Sequence, residues 1–242
     1  MAITALVNGA NGGIGLALTQ RWLSQGRQVV AVSHNASAEL QQLTLQHPDL
    51  RLYTTASKGN YQGFARWLNQ QQLKPSQLVS CCGLLHQGSH SPEKQLRQLT
   101  ESFLLDNIRA NCHSAISMAQ ELEQLYQRKD TFRFGVLSAK VGSIGDNRLG
   151  GWYSYRISKA ALNMFVRTLS IEWRRNLPNA CVVAIHPGTT DTALSQPFQR
   201  NIPANKLYST GLTAERIGQL MDRVGLINSG EFFGWDGDPL PW

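Results

Sequence analysis

A run of glycines between a strand-like and a helix-like segment constrains the fold of this chain more than any other feature. Ile3-Thr-Ala-Leu-Val7 is an apolar run of strand length, and Leu16, Leu18, Trp22 and Leu23 recur at helical spacing. Between them lies Asn8-Gly-Ala-Asn-Gly-Gly-Ile-Gly15. Glycines here allow a tight turn and a close approach of backbone to a pyrophosphate, while the helix N-terminus offers free N–H groups to the anion. The alternative is a plain strand-to-helix turn.

Strands and helices alternate along the rest of the chain. Further strand-length apolar runs are found at 28–32, 50–55, 77–81, 132–137, 181–185 and 230–233. Helical periodicity is found at 61–73, at 92–126 with Asn111 in its middle, from the Gly150-Gly151 pair to 175, and at 214–224. The alternation predicts an α/β fold with a doubly wound, mostly parallel sheet of seven strands and helices on both faces. Residues 1–242 are expected to form one domain.

Several polar or glycine-rich features fall at the predicted strand ends. They are Gly9 to Gly15, His34, Ser80 to Gly83, Ser138, and Pro187 to Thr192. In parallel sheets of this kind, ligands bind outside the carboxyl ends of the strands, where the strand order reverses. These features therefore predict one shared site.

Tyr155 and Lys159 are four residues apart, a spacing that places both on one face of a helix. A nearby ammonium group favours the phenolate, so it can lower the pKa of a tyrosine towards the range that a general acid or base needs. Taken alone, the same spacing also occurs on ordinary solvated helix faces. Its position just after a strand end favours a catalytic pair.

The combined motifs resemble the short-chain dehydrogenases/reductases over nearly the full length. The resemblance rests on Gly9-x-x-x-Gly13-x-Gly15, Tyr155-x-x-x-Lys159 and Pro187-Gly188 in the right order. Val141-Gly-Ser-Ile-Gly-Asp-Asn147, Gly150-Gly-Trp-Tyr-Ser-Tyr-Arg156 and Ser158-Lys-Ala-Ala-Leu-Asn163 are most similar to the sniffer-like carbonyl reductases and C-factor-like proteins. The resemblance implies a Rossmann fold and hydride transfer between a nicotinamide and a small or medium carbonyl or alcohol substrate.

The resemblance also implies roles for individual residues. Tyr155 would exchange a proton with the substrate oxygen, Lys159 would hold the nicotinamide ribose and lower the tyrosine pKa, and Asn111 would support a water-linked proton relay. The cofactor-binding positions would be Gly9, Asn11, Gly13, Ile14, Gly15, His34, Cys82, Gly83, Pro187, Gly188, Thr190 and Thr192. A substrate loop is expected at about 190–212, with Leu194, Phe198 and Leu207 either lining a pocket or filling the core.

Three departures from the family pattern stand out. Ala139 occupies the position of the family's catalytic serine, so Ser138, Ser143 or neither takes its place; Ser138 is the expected substitute. Ser80-Cys-Cys-Gly83 stands where Asn-Asn-Ala-Gly is usual, and Asn8 replaces a threonine while keeping the capacity to bond a neighbouring strand end. Since no acid follows the second strand and His34 lies there, NADP is expected, with NAD not excluded.

The net charge of +7 and pI of about 9.5 come from scattered basic residues without a nucleic-acid motif, so no nucleic-acid partner is expected. No apolar run approaches the roughly 18 residues that span a bilayer, and the four cysteines lack metal-ligand spacing. We expect a cytoplasmic, metal-free homodimer or homotetramer. The alternative function is a dinucleotide-binding signalling or regulatory protein with weak or lost catalysis.

Overall fold

A seven-stranded sheet forms the centre of the computed structural model, which describes residues 3–242. The strands are β1 (Thr4–Asn8), β2 (Gln28–Ser33), β3 (Leu50–Thr54), β4 (Gln77–Ser80), β5 (Phe132–Leu137), β6 (Ala180–Ile185), β7 (Thr189–Thr190), β8 (Leu207–Tyr208) and β9 (Phe232–Phe233). The strands of the large sheet lie in the order β3-β2-β1-β4-β5-β6-β9, and a separate short pair joins β7 to β8. Every pairing in the large sheet is parallel. The strand order reverses between β1 and β4, which opens a crevice at their carboxyl ends.

Helices cover both faces of this sheet. They are α1 (Gly13–Ser24), α2 (Ala38–Gln46), α3 (Phe64–Gln70), α4 (Glu101–Ile108), α5 (Ser114–Leu125), α6 (Tyr153–Asn176) and α7 (Thr210–Arg223). One core cluster joins the sheet to α1, α2 and α7 around Trp22, and the other joins it to α3, α5 and α6 around Trp173. Both tryptophans are fully buried. The predicted doubly wound α/β fold is confirmed.

The prediction of one long helix over 92–126 was wrong. A short 3₁₀ turn spans Leu96–Gln98, and α4 begins only at Glu101, where the Thr100 side chain accepts a hydrogen bond from the Phe103 amide at 3.4 Å. A π turn over Arg109–His113 then separates α4 from α5. The apolar spacing matched a continuous helix because a π turn preserves helical φ and ψ while shifting the register of the following residues.

Two further elements differ from the sequence prediction. The helix expected over 61–73 is shorter, since α3 is flanked by Gly63 and Gln72 in the left-handed region, with φ of 83° and 56°. The helix α2 was not anticipated; it begins after Ser37, whose side chain accepts a hydrogen bond from the Leu40 amide. Within residues 3–242, every helix is too short or too polar to cross a bilayer.

Candidate active site

The glycine turn forms a cradle of main chain at the start of α1. Gly9 has a φ of 80°, and a Cβ on Gly15 would lie 2.2 Å from the Gly9 carbonyl oxygen, so neither position admits a side chain without rearrangement. The helix begins at Gly13 with neither a side-chain cap nor an acidic residue in its first turn. Its free N–H groups suit an anion, so the turn fits the pyrophosphate of a dinucleotide.

A cleft of about 890 Å³ opens beside this cradle. Five of the predicted cofactor-binding residues line it, namely Gly9, Asn11, His34, Cys82 and Gly83. Lys58, Arg109 and His113 also line it, and the sequence analysis had not identified them. Asp106 lines it too and forms an ion pair with Arg109 at 3.6 Å. The cleft therefore combines a glycine cradle with basic side chains, the composition that a phosphate-rich ligand requires.

Asn8 ties the first strand to its neighbour at the floor of the cleft. Its side-chain amide donates to Ser80 Oγ at 3.1 Å, and its Oδ1 accepts a hydrogen bond from the Tyr61 hydroxyl at 2.9 Å. The prediction that asparagine bonds a neighbouring strand end is confirmed. Asn11 has a comparable local role, because its Oδ1 accepts a hydrogen bond from the Ser37 amide.

Tyr155 and Lys159 are both buried, with 9% and 3% of their surface exposed. Lys159 Nζ lies 5.8 Å from the centroid of the tyrosine ring and donates to the carbonyl oxygen of Leu137 at 2.8 Å. Burial lowers the pKa of Lys159 to about 8. Burial also raises the pKa of Tyr155, because it desolvates the phenolate; this direction is opposite to the lowering expected from a nearby lysine.

Asn111 is buried in the π turn, whereas a polar residue inside a helix is often exposed. Its side-chain amide forms two hydrogen bonds with the main chain of Leu84. Oδ1 accepts one from the Leu84 N–H at 2.7 Å, and Nδ2 donates one to the Leu84 carbonyl oxygen at 2.8 Å. It also donates to Ser158 Oγ on α6 at 2.9 Å. A Cβ built on Gly83 would lie 3.3 Å from Asn111 Oδ1 and 3.9 Å from Lys159 Nζ, so these predicted residues converge.

The hydroxyl groups of the two candidate serines form hydrogen bonds with residues other than Tyr155. Ser138 is buried and donates to Asn163 Oδ1 at 2.6 Å, on the turn of α6 after Lys159. Ser143 donates to the Trp242 carbonyl at 3.2 Å. Among the hydrogen bonds of residues 3–242, neither hydroxyl is bonded to Tyr155.

Of the remaining predicted cofactor residues, Thr192 contacts the cradle directly. Thr192 packs on Gly13, where an added Cβ would lie 2.5 Å from the threonine methyl group. Thr190 is buried against Thr213, with 2.9 Å between their hydroxyl oxygens. Gly188, which follows Pro187, has a φ of 77°. Ile14 was also predicted to bind the cofactor, but its side chain packs against the core beneath α1.

An aromatic cluster connects the substrate loop to Tyr155. The Phe198 ring lies 5.3 Å from Trp152 and 5.8 Å from His86, and Trp152 lies 6.2 Å from Tyr155, measured between ring centroids. Phe198, Leu194 and Leu207 are all half-buried. The sequence analysis missed Trp152 and His86, although the glycine pair before Trp152 marked an unusual turn.

This geometry defines the class of protein. A parallel sheet with a glycine cradle, a dinucleotide-sized cleft and a buried Tyr-Lys pair at its edge is the arrangement of a nicotinamide-dependent oxidoreductase. A family model described as short chain dehydrogenase matches residues 3–203, and the chain belongs to that family. It is thus an NAD(P)-dependent oxidoreductase.

Individual relatives agree with this assignment. The chain is 26% identical to a 1-hydroxy-2-glutathionyl-2-methyl-3-butene dehydrogenase of Rhodococcus sp. (strain AD45), over 99% of both chains. It is 34% identical to the C-signal protein of Myxococcus xanthus, over 46% of this chain and 61% of that protein. In structure it is similar to the carbonyl reductase Sniffer of D. melanogaster, with a TM-score of 0.83, 22% identity and full coverage of both chains. The resemblance to the sniffer-like and C-factor-like group is confirmed.

Proposed function

We propose that this protein is an NADP-dependent carbonyl reductase that acts on small or medium apolar carbonyl compounds. The observation that carries the proposal is the buried Tyr155/Lys159 pair, whose lysine lies next to Gly83 in the lining of the glycine-cradled cleft. A phenol is a proton donor at neutral pH, and its raised pKa keeps it protonated until a substrate oxygen develops negative charge.

In the proposed mechanism, the reduced nicotinamide supplies the hydride when it is bound. Tyr155 donates its phenolic proton to the carbonyl oxygen of the substrate. Lys159, held by the Leu137 carbonyl, provides the positive charge that stabilises the phenolate left behind. Asn111 joins the loop at Leu84 to Ser158 of α6. This link holds the floor of the site in a fixed position relative to Lys159.

The choice of NADP is supported by the charges around the cleft. His34 lies at the end of β2, and its Nδ1 is 3.3 Å from the Thr55 carbonyl oxygen, while Lys58 lies in the adjoining loop. No acid is present at that strand end to hold a free ribose 2′-hydroxyl. The Lys58 ammonium and the hydrogen-bonding ring of His34 favour the additional phosphate of NADP.

The apolar substrate is supported by the rings near Tyr155. Trp152 and Phe198 present aromatic surface, and Leu194 lies close to Gly83. These side chains offer dispersion contacts and few hydrogen bonds, so they suit an uncharged carbonyl compound. The wild-type protein should therefore prefer aromatic or aliphatic ketones and aldehydes to keto acids.

The test is turnover of a carbonyl panel with NADPH. Wild-type protein is expected to oxidise NADPH, and Tyr155→Phe is expected to reduce kcat by about 10²- to 10⁴-fold while binding NADPH normally, because only the proton donor is lost. Tyr153→Phe, on the half-buried start of the same helix, is the matched control. Unchanged turnover in Tyr155→Phe would contradict the mechanism.

A dinucleotide-binding signalling protein with weak or lost catalysis is the second candidate. Ala139 at the family's serine position, the Cys81-Cys82 pair and the partial similarity to C-signal favour it. Tight NADPH binding without turnover on the whole panel is its expected signature.

We further propose a cytoplasmic homodimer, supported by four free thiols and by an exposed apolar face on α6. Ile157, Met164 and Ile171 follow one another at seven-residue spacing on this helix and are 43%, 67% and 47% exposed. Apolar side chains in such a stripe suit a second copy of the same helix.

A further inference from the structure

Helix α6, which carries Tyr155 and Lys159, begins without a cap of its own. Its N-terminal flanking residue is Trp152, whose side chain makes no capping hydrogen bond. Gly150, Gly151 and Trp152 all have positive φ, at 63°, 65° and 53°. A left-handed tryptophan costs of the order of 1–3 kcal/mol, so surrounding contacts must hold this turn in place.

Arg156 Nε holds the glycine pair by donating to the Gly151 carbonyl at 3.0 Å. The contacts to Trp152 and Ser154 come from Glu93, which lies 61 residues before Ser154. Its carboxylate accepts a hydrogen bond from the Ser154 amide at 3.1 Å and another from the Ser154 hydroxyl, while its main-chain carbonyl accepts one from the Trp152 amide at 2.5 Å. The side chain is only 3% exposed, and Glu93 takes part in none of the ion pairs formed within residues 3–242. A buried carboxylate at the positive end of a 24-residue helix satisfies donors that the helix leaves unpaired.

We propose that Glu93 is a positioning residue that fixes Tyr155 and the Trp152 ring for the reaction. Tyr155 directly follows Ser154. A hydrogen-bonded Ser154 therefore fixes where the Tyr155 phenol lies along the axis of α6 and in which direction around that axis it points. Trp152 is held on the other side of the anchor, with its ring 6.2 Å from Tyr155 and 5.3 Å from Phe198. Glu93 thus connects the proton donor to the wall of the substrate site.

Cofactor binding depends on other contacts. Lys159 is held separately by the Leu137 carbonyl, and the glycine cradle is built from β1, β4 and α1. The side chains that line the dinucleotide cleft do not include Glu93. Loss of Glu93 should therefore impair the chemical step and substrate binding while leaving the affinity for NADPH intact. This inference rests on the proposed function, because it assigns Tyr155 the proton transfer.

The experiment compares Glu93→Ala, Glu93→Gln and Ser154→Ala with Glu101→Ala, a control at an exposed glutamate in the first turn of α4. Glu93→Ala should lower kcat by about 10- to 100-fold, the effect of a small displacement of a reacting group, with an unchanged NADPH Kd. Glu93→Gln keeps an acceptor for the Ser154 amide, so its kcat should be only about fivefold below that of wild type. Ser154→Ala should fall between the two.

Hydrogen exchange gives a readout that does not depend on turnover. The amides of Trp152 and Ser154 should exchange faster in Glu93→Ala than in wild type, and at the wild-type rate in Glu101→Ala. If wild type itself shows no turnover, the proposed function fails, and exchange at these amides still decides whether Glu93 anchors the turn. Normal kcat and KM in folded Glu93→Ala, or an NADPH Kd that rises in parallel with the loss of kcat, would overturn the inference. If Glu93→Ala does not fold, unchanged kcat in Ser154→Ala would overturn it.

Discussion

Lys159 is a charged side chain with almost no contact with solvent. Its ammonium donates to the Leu137 carbonyl, yet burial still lowers its pKa to about 8 from the 10.5 of an exposed lysine. The charged form therefore destabilises the folded protein below pH 8. Such a cost is typical of a group retained for function, because a residue that served packing alone would be apolar.

The depressed pKa predicts how stability depends on pH. Between about pH 8 and 10.5 the folded protein has released the Lys159 proton while the unfolded chain keeps it, so this residue makes stability rise with pH across that window. Relative to Lys159→Met, wild type should gain roughly 3 kcal/mol between these limits. Urea unfolding of both proteins, without cofactor, measures the difference, and parallel stability curves would contradict the prediction.

The serine position predicts a second residue-level outcome. Because the Ser138 hydroxyl is bonded to Asn163, Ser138→Ala should cost about 1 kcal/mol of stability and change kcat little.

Ala139→Ser restores a hydroxyl at the family's position and should raise kcat/KM about tenfold or more, since one donor at a developing oxyanion is worth at least that much. Steady-state kinetics on one ketone substrate tests both, and a large loss of kcat in Ser138→Ala would show instead that Ser138 acts catalytically.

At the level of elements, the π turn between α4 and α5 places a polar side chain where a regular helix would not. The extra residue in the turn directs Asn111 inward, and its amide then joins Leu84 to Ser158 of α6. Such turns are frequent at functional sites because they alter the register of the following residues. The interrupted helix is thus part of how the floor of the cleft is assembled.

The loop after β3 predicts cofactor preference. Lys58 lines the cleft in this loop and forms none of the ion pairs found within residues 3–242. Lys58→Ala should weaken NADPH binding about fivefold or more and leave NADH binding nearly unchanged, because the lysine charge is used only by the additional phosphate. Isothermal titration with both cofactors measures this, with the exposed Lys129→Ala as control. Equal losses for the two cofactors would contradict the assignment.

At the level of the whole molecule, the apolar face of α6 predicts assembly. Met164→Glu places a charge in the middle of the exposed stripe formed by Ile157, Met164 and Ile171 and should convert a dimer to a monomer. Leu45→Glu changes an equally apolar residue, 88% exposed on α2, and should leave the dimer intact. Sedimentation velocity separates the outcomes, and a wild-type monomer at micromolar concentration would exclude this interface.

Much of the architecture is encoded locally and was predictable from the sequence. Buried parallel strands are continuous apolar runs, so β1, β2, β5 and β6 were found near their true bounds. Two site motifs were predictable because they are also local in sequence. They are the glycines from Gly9 to Gly15 and the pair Tyr155 and Lys159, in each of which the residues are no more than six positions apart. The interpretation of residues 1–242 as one domain stays a prediction.

Tertiary structure alone decided the contacts between distant segments. Nothing near Glu93 in the sequence indicates that it caps a helix 61 residues later, and nothing near Lys58 indicates that it lines the cleft. The sign of the Tyr155 pKa shift also depended on the fold, because burial depends on every element packed around the phenol. Sequence spacing thus determined which side chains share a helix face, and packing determined their solvation and their partners.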